Sequence, residues 1–109
     1  MFYIMITLKT EDNVFMSYEY KSIFGLIRLS EEAVYIHTIY NKQIGNGSFD
    51  EFMDYIEASK KPIILLDVRN GKLWHHLRHA RGYFPHYGEV LGTGLKFDNC
   101  LIKKPKQND

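Results

Sequence analysis

A glycine-rich segment at residues 42–48 (KQIGNGS) is the part of the sequence best suited to bind a ligand. It follows residues 33–40, which alternate as in a β-strand, and precedes residues 49–56, whose apolar members repeat at helical spacing. A glycine loop between a strand and a helix lets backbone N–H groups point at a phosphate near the positive end of the helix. The segment therefore predicts a phosphate-binding loop, with a plain turn at Asn46-Gly47 as the alternative.

A second segment, rich in histidine and basic residues, lies between Asp67 and Glu89 and holds no other carboxylate. Within it, His75 and His79 are four residues apart on one predicted helical face, a spacing that suits metal chelation. The flanking cations oppose a divalent ion and no acidic residue or cysteine lies close by, so we predict no metal site. We interpret the segment as a solvated basic helix face, open to an acidic protein or a nucleic acid.

Few side chains on this part of the chain suit proton transfer near neutral pH. His37 lies in the predicted strand before the glycine loop, and histidine exchanges a proton most readily in this pH range. A half-exposed strand histidine is more often an ordinary surface residue, and that interpretation stays open. Asp67 lies in the apolar run 62–68, which predicts a strand covered on both faces.

The composition limits the classes of protein and partner to be expected. The 109 residues are 45% hydrophobic and 15% aromatic, which predicts one packed domain. A net charge of +1 gives no global reason to expect nucleic acid or an anionic membrane as a partner. Cys100 is the single cysteine, and no segment approaches membrane-spanning length. We expect a cytoplasmic protein with no membrane part, in which exposed aromatic side chains favour a homodimer.

The periodicity predicts the order of the secondary-structure elements. Strands are predicted at 2–8, 14–20, 24–29, 33–40, 62–68, 83–91 and 95–102, and helices at 48–59 and 72–81. The strands that flank the first helix should be parallel neighbours, because crossover units join in that way. We expect an α+β fold with a mixed, mostly antiparallel sheet of about six or seven strands and two main helices. It should form a single domain, 1–102, followed by a flexible tail, 103–109.

Both predicted helices carry local signals at their ends. Ser48 and Glu51 have the spacing of a capping box at the start of the first helix. Gly82 stands where a glycine ends a helix, just after the second one. The buried stripe expected on that second helix consists of Leu73, Trp74, Leu77 and Ala80.

The landmarks over residues 33–97 resemble those of the GCN5-related N-acetyltransferase family. That family carries an R/Q-x-x-G-x-G/A signature between its fourth strand and the next helix, and residues 42–47 (KQIGNG) match it here. It also has an asparagine after its fifth strand, followed by a short helix that ends in Gly-Phe. Asn70, the helix to Arg81 and the dipeptide Gly82-Tyr83 occupy those places.

The resemblance implies an acyl-CoA N-acyltransferase-like fold and transfer of the acetyl group of acetyl-CoA to an amine by direct attack. The acceptor amine would belong to a small molecule or a protein. The loop would hold the pyrophosphate, and the pantetheine arm would lie between the fourth and fifth strands. His37 and Tyr83 are the candidate proton-transfer residues. The implied coenzyme-binding residues are Ile39, Lys42, Gln43, Ile44, Gly45, Asn46, Gly47, Ser48 and Asn70.

The chain departs from the family pattern at four positions. Lys42 replaces an arginine or glutamine, although a lysine charge still suits phosphate. Asp50 and Glu51 lie in the first helical turn, where they would repel a pyrophosphate unless their side chains point away. Arg78 stands at the position of the family's general-acid tyrosine. These departures leave an alternative open: a catalytically inactive protein of this fold that uses the basic helix 72–81 as a binding or inhibitory surface.

Overall fold

A computed structural model of the chain describes residues 7–10, 14–43, 45 and 47–105, with the backbone alone at 7–10. The first four strands are β1 (Thr7–Thr10), β2 (Met16–Tyr20), β3 (Ile23–Leu29) and β4 (Val34–Asn41). Helix α1 (Ser48–Glu57), strand β5 (Ile63–Leu65), helix α2 (Gly71–His79) and strands β6 (Phe84–Val90) and β7 (Leu95–Lys103) follow. The α+β class with two helices is confirmed. Most of the first predicted strand and the turn at 11–13 lie outside the described residues.

The strands form one mixed sheet in the order β1-β2-β3-β4-β5-β7-β6. Every neighbouring pair is antiparallel except β4 and β5, in which Val34, Tyr35 and Ile36 lie beside Ile63, Ile64 and Leu65 in parallel register. The predicted parallel pairing across α1 is therefore confirmed. Because β7 returns beside β5, the short strand β5 lies inside the sheet.

The main core lies between the sheet and the two helices. Helix α1 buries the apolar side chains that repeat at helical spacing, and Phe52 stacks on Tyr18 of β2 with ring centroids 5.2 Å apart. Helix α2 buries Leu77, whereas Ala80 is exposed, so the predicted buried stripe of α2 is wrong at its last position. The fully buried members of this core are Ile23, Ile27, Val34, Ile36, Phe52, Met53, Ile56, Ile63, Leu65, Leu77, Tyr83 and Leu101.

A second apolar cluster covers the other face of the sheet. Ile64 and Leu66 belong to this cluster, whereas their neighbours Ile63 and Leu65 belong to the main core. The prediction that residues 62–68 are covered on both faces is thus confirmed, although the strand proper is shorter, Ile63–Leu65. Cys100 is a buried free thiol of this second cluster.

The ends of the elements differ from the predicted ones in three places. Gly47, with a φ of 81°, is the N-cap of α1, so the predicted capping box of Ser48 and Glu51 is wrong. Ser48 is instead the first helical residue and is buried. Lys103, assigned to the tail by the sequence, ends β7. Gly82 does take the expected left-handed conformation after α2, with a φ of 79°.

Neither described helix combines the length and the apolar character needed to cross a membrane.

Candidate functional site

Strand β4 contains a bulge at His37. The pairing of β3 with β4 passes from Leu26 opposite Thr38 to Ile27 opposite Ile36, which leaves His37 as the extra residue. A bulge of this kind bends a strand and turns its side chains to new directions. Gly25 of β3 makes room for it, because a Cβ at that position would lie 1.9 Å from the Thr38 carbonyl oxygen. The bend in β4 therefore falls at His37, the residue predicted to transfer a proton.

Strands β4 and β5 separate just beyond this bulge. The Leu66 N–H donates to the Ile36 carbonyl oxygen at 2.8 Å, and the chain then turns away, so that the Val68 N–H donates to the Asn99 carbonyl oxygen at 2.8 Å. Strand β4 continues to Asn41. The separation opens a cleft of about 340 Å³ between the two strands, within the range typical of ligand sites.

Two segments of the chain form the walls of this cleft. One wall is β4, residues 36–40, and the other is formed by residues 65–70 together with Leu73. Asp67 turns the second wall, since it adopts a positive φ of 56°, and its carboxylate accepts a hydrogen bond from Arg69 Nε at 2.7 Å. Such backbone conformations are uncommon outside glycine and concentrate at functional sites.

His37 faces the cleft from an aromatic environment. Its ring stacks on Phe15 with centroids 5.1 Å apart and lies 4.9 Å from the ring of Phe97. The Nδ1 atom is buried, and no described group forms a hydrogen bond with it. Ile39 lines the same wall of the cleft. The structure thus places His37 and Ile39 in this cleft, and a third residue predicted for the site, Asn70, lines it as well.

Asn70 has two roles at the end of the second wall. It lines the cleft and is the N-cap of α2, where its side-chain oxygen accepts from the backbone N–H groups of Lys72 at 2.9 Å and Leu73 at 3.1 Å. An asparagine amide has one carbonyl oxygen and one NH₂ group. Because the oxygen caps the helix, the NH₂ group is the part of Asn70 available to a ligand.

The glycine loop leads from the end of β4 to the N-terminus of α1. Gly45 and Gly47 have positive φ angles of 90° and 81°, which favour glycine, and a Cβ at either position would meet nothing within 4 Å. Lys42 lies 3.7 Å from Glu19 and above the ring of Phe24. A shallow depression beside the loop is lined by Lys21, Ser22, Lys42, Gln43 and Ser48. Ile44 and Asn46 lie outside the described residues.

The two acidic residues in the first turn of α1 have partners on other elements. Asp50 binds His76 at 2.8 Å and Arg81 at 3.1 Å. Glu51 accepts hydrogen bonds from Lys21 and from the Tyr20 hydroxyl. The hydrogen bond with His76 lowers the pKa of Asp50, and that with Lys21 lowers the pKa of Glu51. Their negative charges are thus compensated by cations, which removes much of the expected repulsion of a phosphate.

Tyr83 lies apart from the cleft, so its prediction as a proton-transfer residue is not supported by its position. Its side chain is 1% exposed in the main core, and its hydroxyl donates to Glu57 at 2.9 Å. Burial and the Glu57 charge raise the pKa of this hydroxyl well above its ordinary value. Tyr83 is a structural residue in this fold.

The basic segment is only partly solvated. Arg81, with an exposed side-chain fraction of 11%, binds Asp50, Asp54 and Glu57 of α1, which contradicts its predicted place on a free basic face. His75 and His79 do lie together, with ring centroids 4.3 Å apart. Among the described residues, no group of three or more His, Cys, Asp or Glu side chains is arranged to hold a metal.

Four polar residues that line the cleft were not named among the predicted site residues: Thr38, Tyr40, Asp67 and Arg69. The sequence predicted the position of Tyr40, at the end of the strand before the glycine loop. It did not predict that this residue is 56% exposed. The turn at Asp67 had no local signal, because an apolar run surrounds it.

Comparison of the chain with protein-family models, curated proteins and solved structures gives no match. The case for a function therefore rests on this geometry and on the sequence motifs.

Proposed function

We propose that the protein is an acyl-CoA-dependent N-acyltransferase that transfers the acetyl group of acetyl-CoA to an amine. The observation that carries the proposal is the separation of β4 from β5, which opens a cleft beside a strand that leads into a glycine loop and a helix N-terminus. A long substrate with an anionic end fits such an arrangement. The acceptor class, a small molecule or a protein, and the predicted homodimer and cytoplasmic location remain predictions.

The cleft suits the pantetheine arm, which contains amide groups. Beyond Ile36, strand β4 has no pairing with β5, so its edge at 37–41 is open to hydrogen bonding by a ligand that runs along it. Ile39 supplies apolar contact on this wall, and Asn70 supplies an amide donor on the other. The backbone at Gly45, Gly47 and Ser48, together with the Lys42 charge, suits the pyrophosphate.

The reaction forms a C–N bond from the amine to the acetyl carbon and breaks the C–S bond, so the amine loses a proton and the thiolate gains one. His37 is the proposed base, because it lines the cleft and an imidazole exchanges protons near neutral pH. Tyr40, a residue of the same wall whose ring stacks on Phe24, replaces Tyr83 as the proposed acid. This proposal requires no covalent enzyme intermediate.

Isothermal titration calorimetry with acetyl-CoA tests the binding step. We expect micromolar binding by the wild-type protein and a loss of at least about tenfold in Gly45→Asp, because the carboxylate would face the pyrophosphate. Gly45→Asn is the matched control, since it has the same shape without the charge and asparagine tolerates a positive φ. Gly94→Asp, at a positive φ of 77° in the turn between β6 and β7, controls for the charge itself.

Both control variants should bind acetyl-CoA within about threefold of wild type. Equal binding by wild type and Gly45→Asp would remove the loop from the site. Absence of binding by the wild type at millimolar acetyl-CoA would contradict the proposed function.

A second candidate function is a binding protein of the same fold without catalysis. Two observations favour it. Tyr83, predicted to transfer a proton, is buried in the main core and does not line the cleft. Helix α2 exposes cations and histidines, namely Lys72, His75, Arg78 and His79. Release of free thiol from acetyl-CoA in the presence of a panel of primary amines separates the two candidates. Acetyl-CoA binding without thiol release from any amine would favour the binding protein.

A further inference from the structure

Two lysine pairs that are distant in sequence meet at the end of the sheet opposite the cleft. Lys60 and Lys61 follow α1, whereas Lys103 and Lys104 lie at the end of β7. The antiparallel pairing of Ile63 with Lys103 brings the two pairs together. They line a pocket of about 400 Å³, here called the lysine pocket, whose other lining residues are Glu57, Ala58, Ile63 and Pro105.

The lysines of this pocket carry more positive charge than the neighbouring carboxylates balance. Lys61 donates to the neutral carbonyl oxygen of Ser30 at 2.8 Å. Lys103 donates to Glu57 at 2.9 Å, but Glu57 already accepts two hydrogen bonds from Arg81 and one from the Tyr83 hydroxyl. Lys60 and Lys104 are exposed and have no carboxylate partner among the described residues. Glu57 is thus the one carboxylate in the described lining of the pocket, beside four lysines. The Glu32 carboxylate also lies near Lys61, since its pKa is lowered by a hydrogen bond with Ser30 and, to a smaller degree, by the charge of Lys61.

Such a grouping of like charges opposes folding, because Coulomb repulsion among the four lysines is only partly offset by Glu57 and Glu32. Like charges that are grouped in this way conflict with stable folding, and such conflicts occur most often at functional sites. The positive field also reaches the neighbouring strand: the pKa of His86 is lowered by its partial burial and by the charge of Lys104. An anion in the pocket would relieve the repulsion and would gain from every lysine.

The remainder of the lining is apolar and selects among anions. Ala58 and Pro105 supply accessible aliphatic surface, whereas Ile63, at 1% exposed, is already covered by the main core. An inorganic ion would leave this surface uncovered, whereas an organic anion would cover it. A phosphate monoester carries close to two negative charges at neutral pH and suits several lysines better than a single carboxylate does.

We propose that the lysine pocket binds a small phosphate monoester, with the phosphate on the lysines and an apolar body against Ala58 and Pro105. The site is separate from the cleft, because the pocket lies at the first residue of β5 and the cleft opens beyond its last residue. The proposal does not depend on acyltransfer. It holds whether or not the cleft binds acetyl-CoA.

Titration of ¹⁵N-labelled protein with phenyl phosphate, followed by backbone amide NMR, tests the proposal. We expect saturable shifts at residues 57–63 and 103–104, with half-saturation below about 10 mM. Benzyl alcohol, which has the apolar body without the phosphate, should give no saturable shift. Inorganic phosphate should bind at least about threefold more weakly than phenyl phosphate, because it leaves the aliphatic surface of Ala58 and Pro105 uncovered.

Charge-removing variants identify the lysines as the cause. Lys60→Gln/Lys104→Gln should weaken phenyl phosphate binding at least about tenfold and leave the melting temperature of the free protein unchanged or higher, because repulsion is removed. Lys72→Gln/Lys96→Gln, which removes the same charge from α2 and β7 surface positions, should change the affinity less than about twofold. Gly45→Asp should bind phenyl phosphate as the wild type does.

Three results would overturn the proposal. The first is the absence of saturable shifts at 57–63 and 103–104. The second is an equal loss of affinity in both double variants, which would indicate screening of the overall charge. The third is a shift pattern confined to the glycine loop, which would assign the phosphate to the cleft site instead.

Discussion

At the scale of single residues, one glycine and one histidine shape the proposed site. Gly25 on β3 lets the Thr38 carbonyl approach, and His37 becomes the extra residue of the β4 bulge. The sequence predicted the strand and named His37, but it did not predict the bulge. The alternating pattern of a single strand does not reveal a bulge. The evidence for this bulge is the pairing of Gly25 with β4, a strand that lies more than ten residues later in the chain.

His37→Phe tests the environment of this ring. Phenylalanine keeps the stacking on Phe15 and Phe97 and removes the buried Nδ1 that lacks a partner. We therefore expect the free energy of unfolding to rise by about 1 kcal/mol, measured by urea denaturation at neutral pH. His75→Phe on the exposed face of α2 is the control and should change stability by less than about 0.5 kcal/mol. A loss of stability in His37→Phe would show that Nδ1 has a favourable interaction in the folded protein.

At the scale of the elements, the order of strands and helices was predictable, whereas their ends were not. Ser48 and Glu51 have the spacing of a capping box, yet the Glu51 carboxylate is bound by Tyr20 and Lys21 from the far end of β2. These two partners of Glu51 come from a distant part of the chain, so the local sequence pattern does not predict them. Strand β5 is short for a similar reason, because Val68 pairs with Asn99 rather than with β4.

Leu65→Ala tests the burial of β5. Leu65 is 1% exposed in the main core, and its truncation should cost about 2–5 kcal/mol of unfolding free energy. Leu95→Ala is the matched control, because Leu95 is 39% exposed at the start of β7 and should cost less than about 1 kcal/mol. Chemical denaturation of the two variants beside the wild type measures the difference. Near-native stability of Leu65→Ala would contradict the position of β5 inside the sheet.

At the scale of the whole molecule, Glu57 joins three parts of the fold. Its carboxylate, at the end of α1, binds Arg81 after α2, Tyr83 before β6 and Lys103 at the end of β7. None of these partners lies near Glu57 in sequence, so the sequence placed Arg81 on a solvated basic helix face, whereas the fold binds it in an ion network. The prediction of a solvated face is confirmed at Lys72, His75, Arg78 and His79, which are exposed. The parallel pairing of β4 and β5 was predictable, since a crossover helix fixes it.

Glu57→Gln tests this network through its dependence on pH. Burial raises the pKa of Glu57, but the hydrogen bonds from Arg81, Lys103 and Tyr83 outweigh it and hold the pKa below 4.5. A carboxyl with a lower pKa in the folded state stabilises the fold above its unfolded pKa and loses that contribution as the pH falls through the folded pKa. Stability should therefore fall below pH 4.5 in the wild type and less steeply in Glu57→Gln.

At pH 7, the same variant should lose about 2–3 kcal/mol of unfolding free energy, because Arg81 loses a charged partner. Thermal unfolding between pH 3 and pH 7 measures both effects. Glu31→Gln, at an exposed position before β4, is the control and should follow the wild type. An unchanged acid profile in Glu57→Gln would show that the ionisation of Glu57 does not contribute to the pH dependence of stability.

The central claim, that the cleft between β4 and β5 binds acetyl-CoA, is tested most directly by backbone amide NMR of the ¹⁵N-labelled protein during titration with acetyl-CoA. The account predicts saturable shifts on both walls of the cleft, at residues 37–41 and 66–70, and in the glycine loop at 45–48. Shifts confined to α2 or to the lysine pocket, or no shifts at millimolar acetyl-CoA, would contradict it.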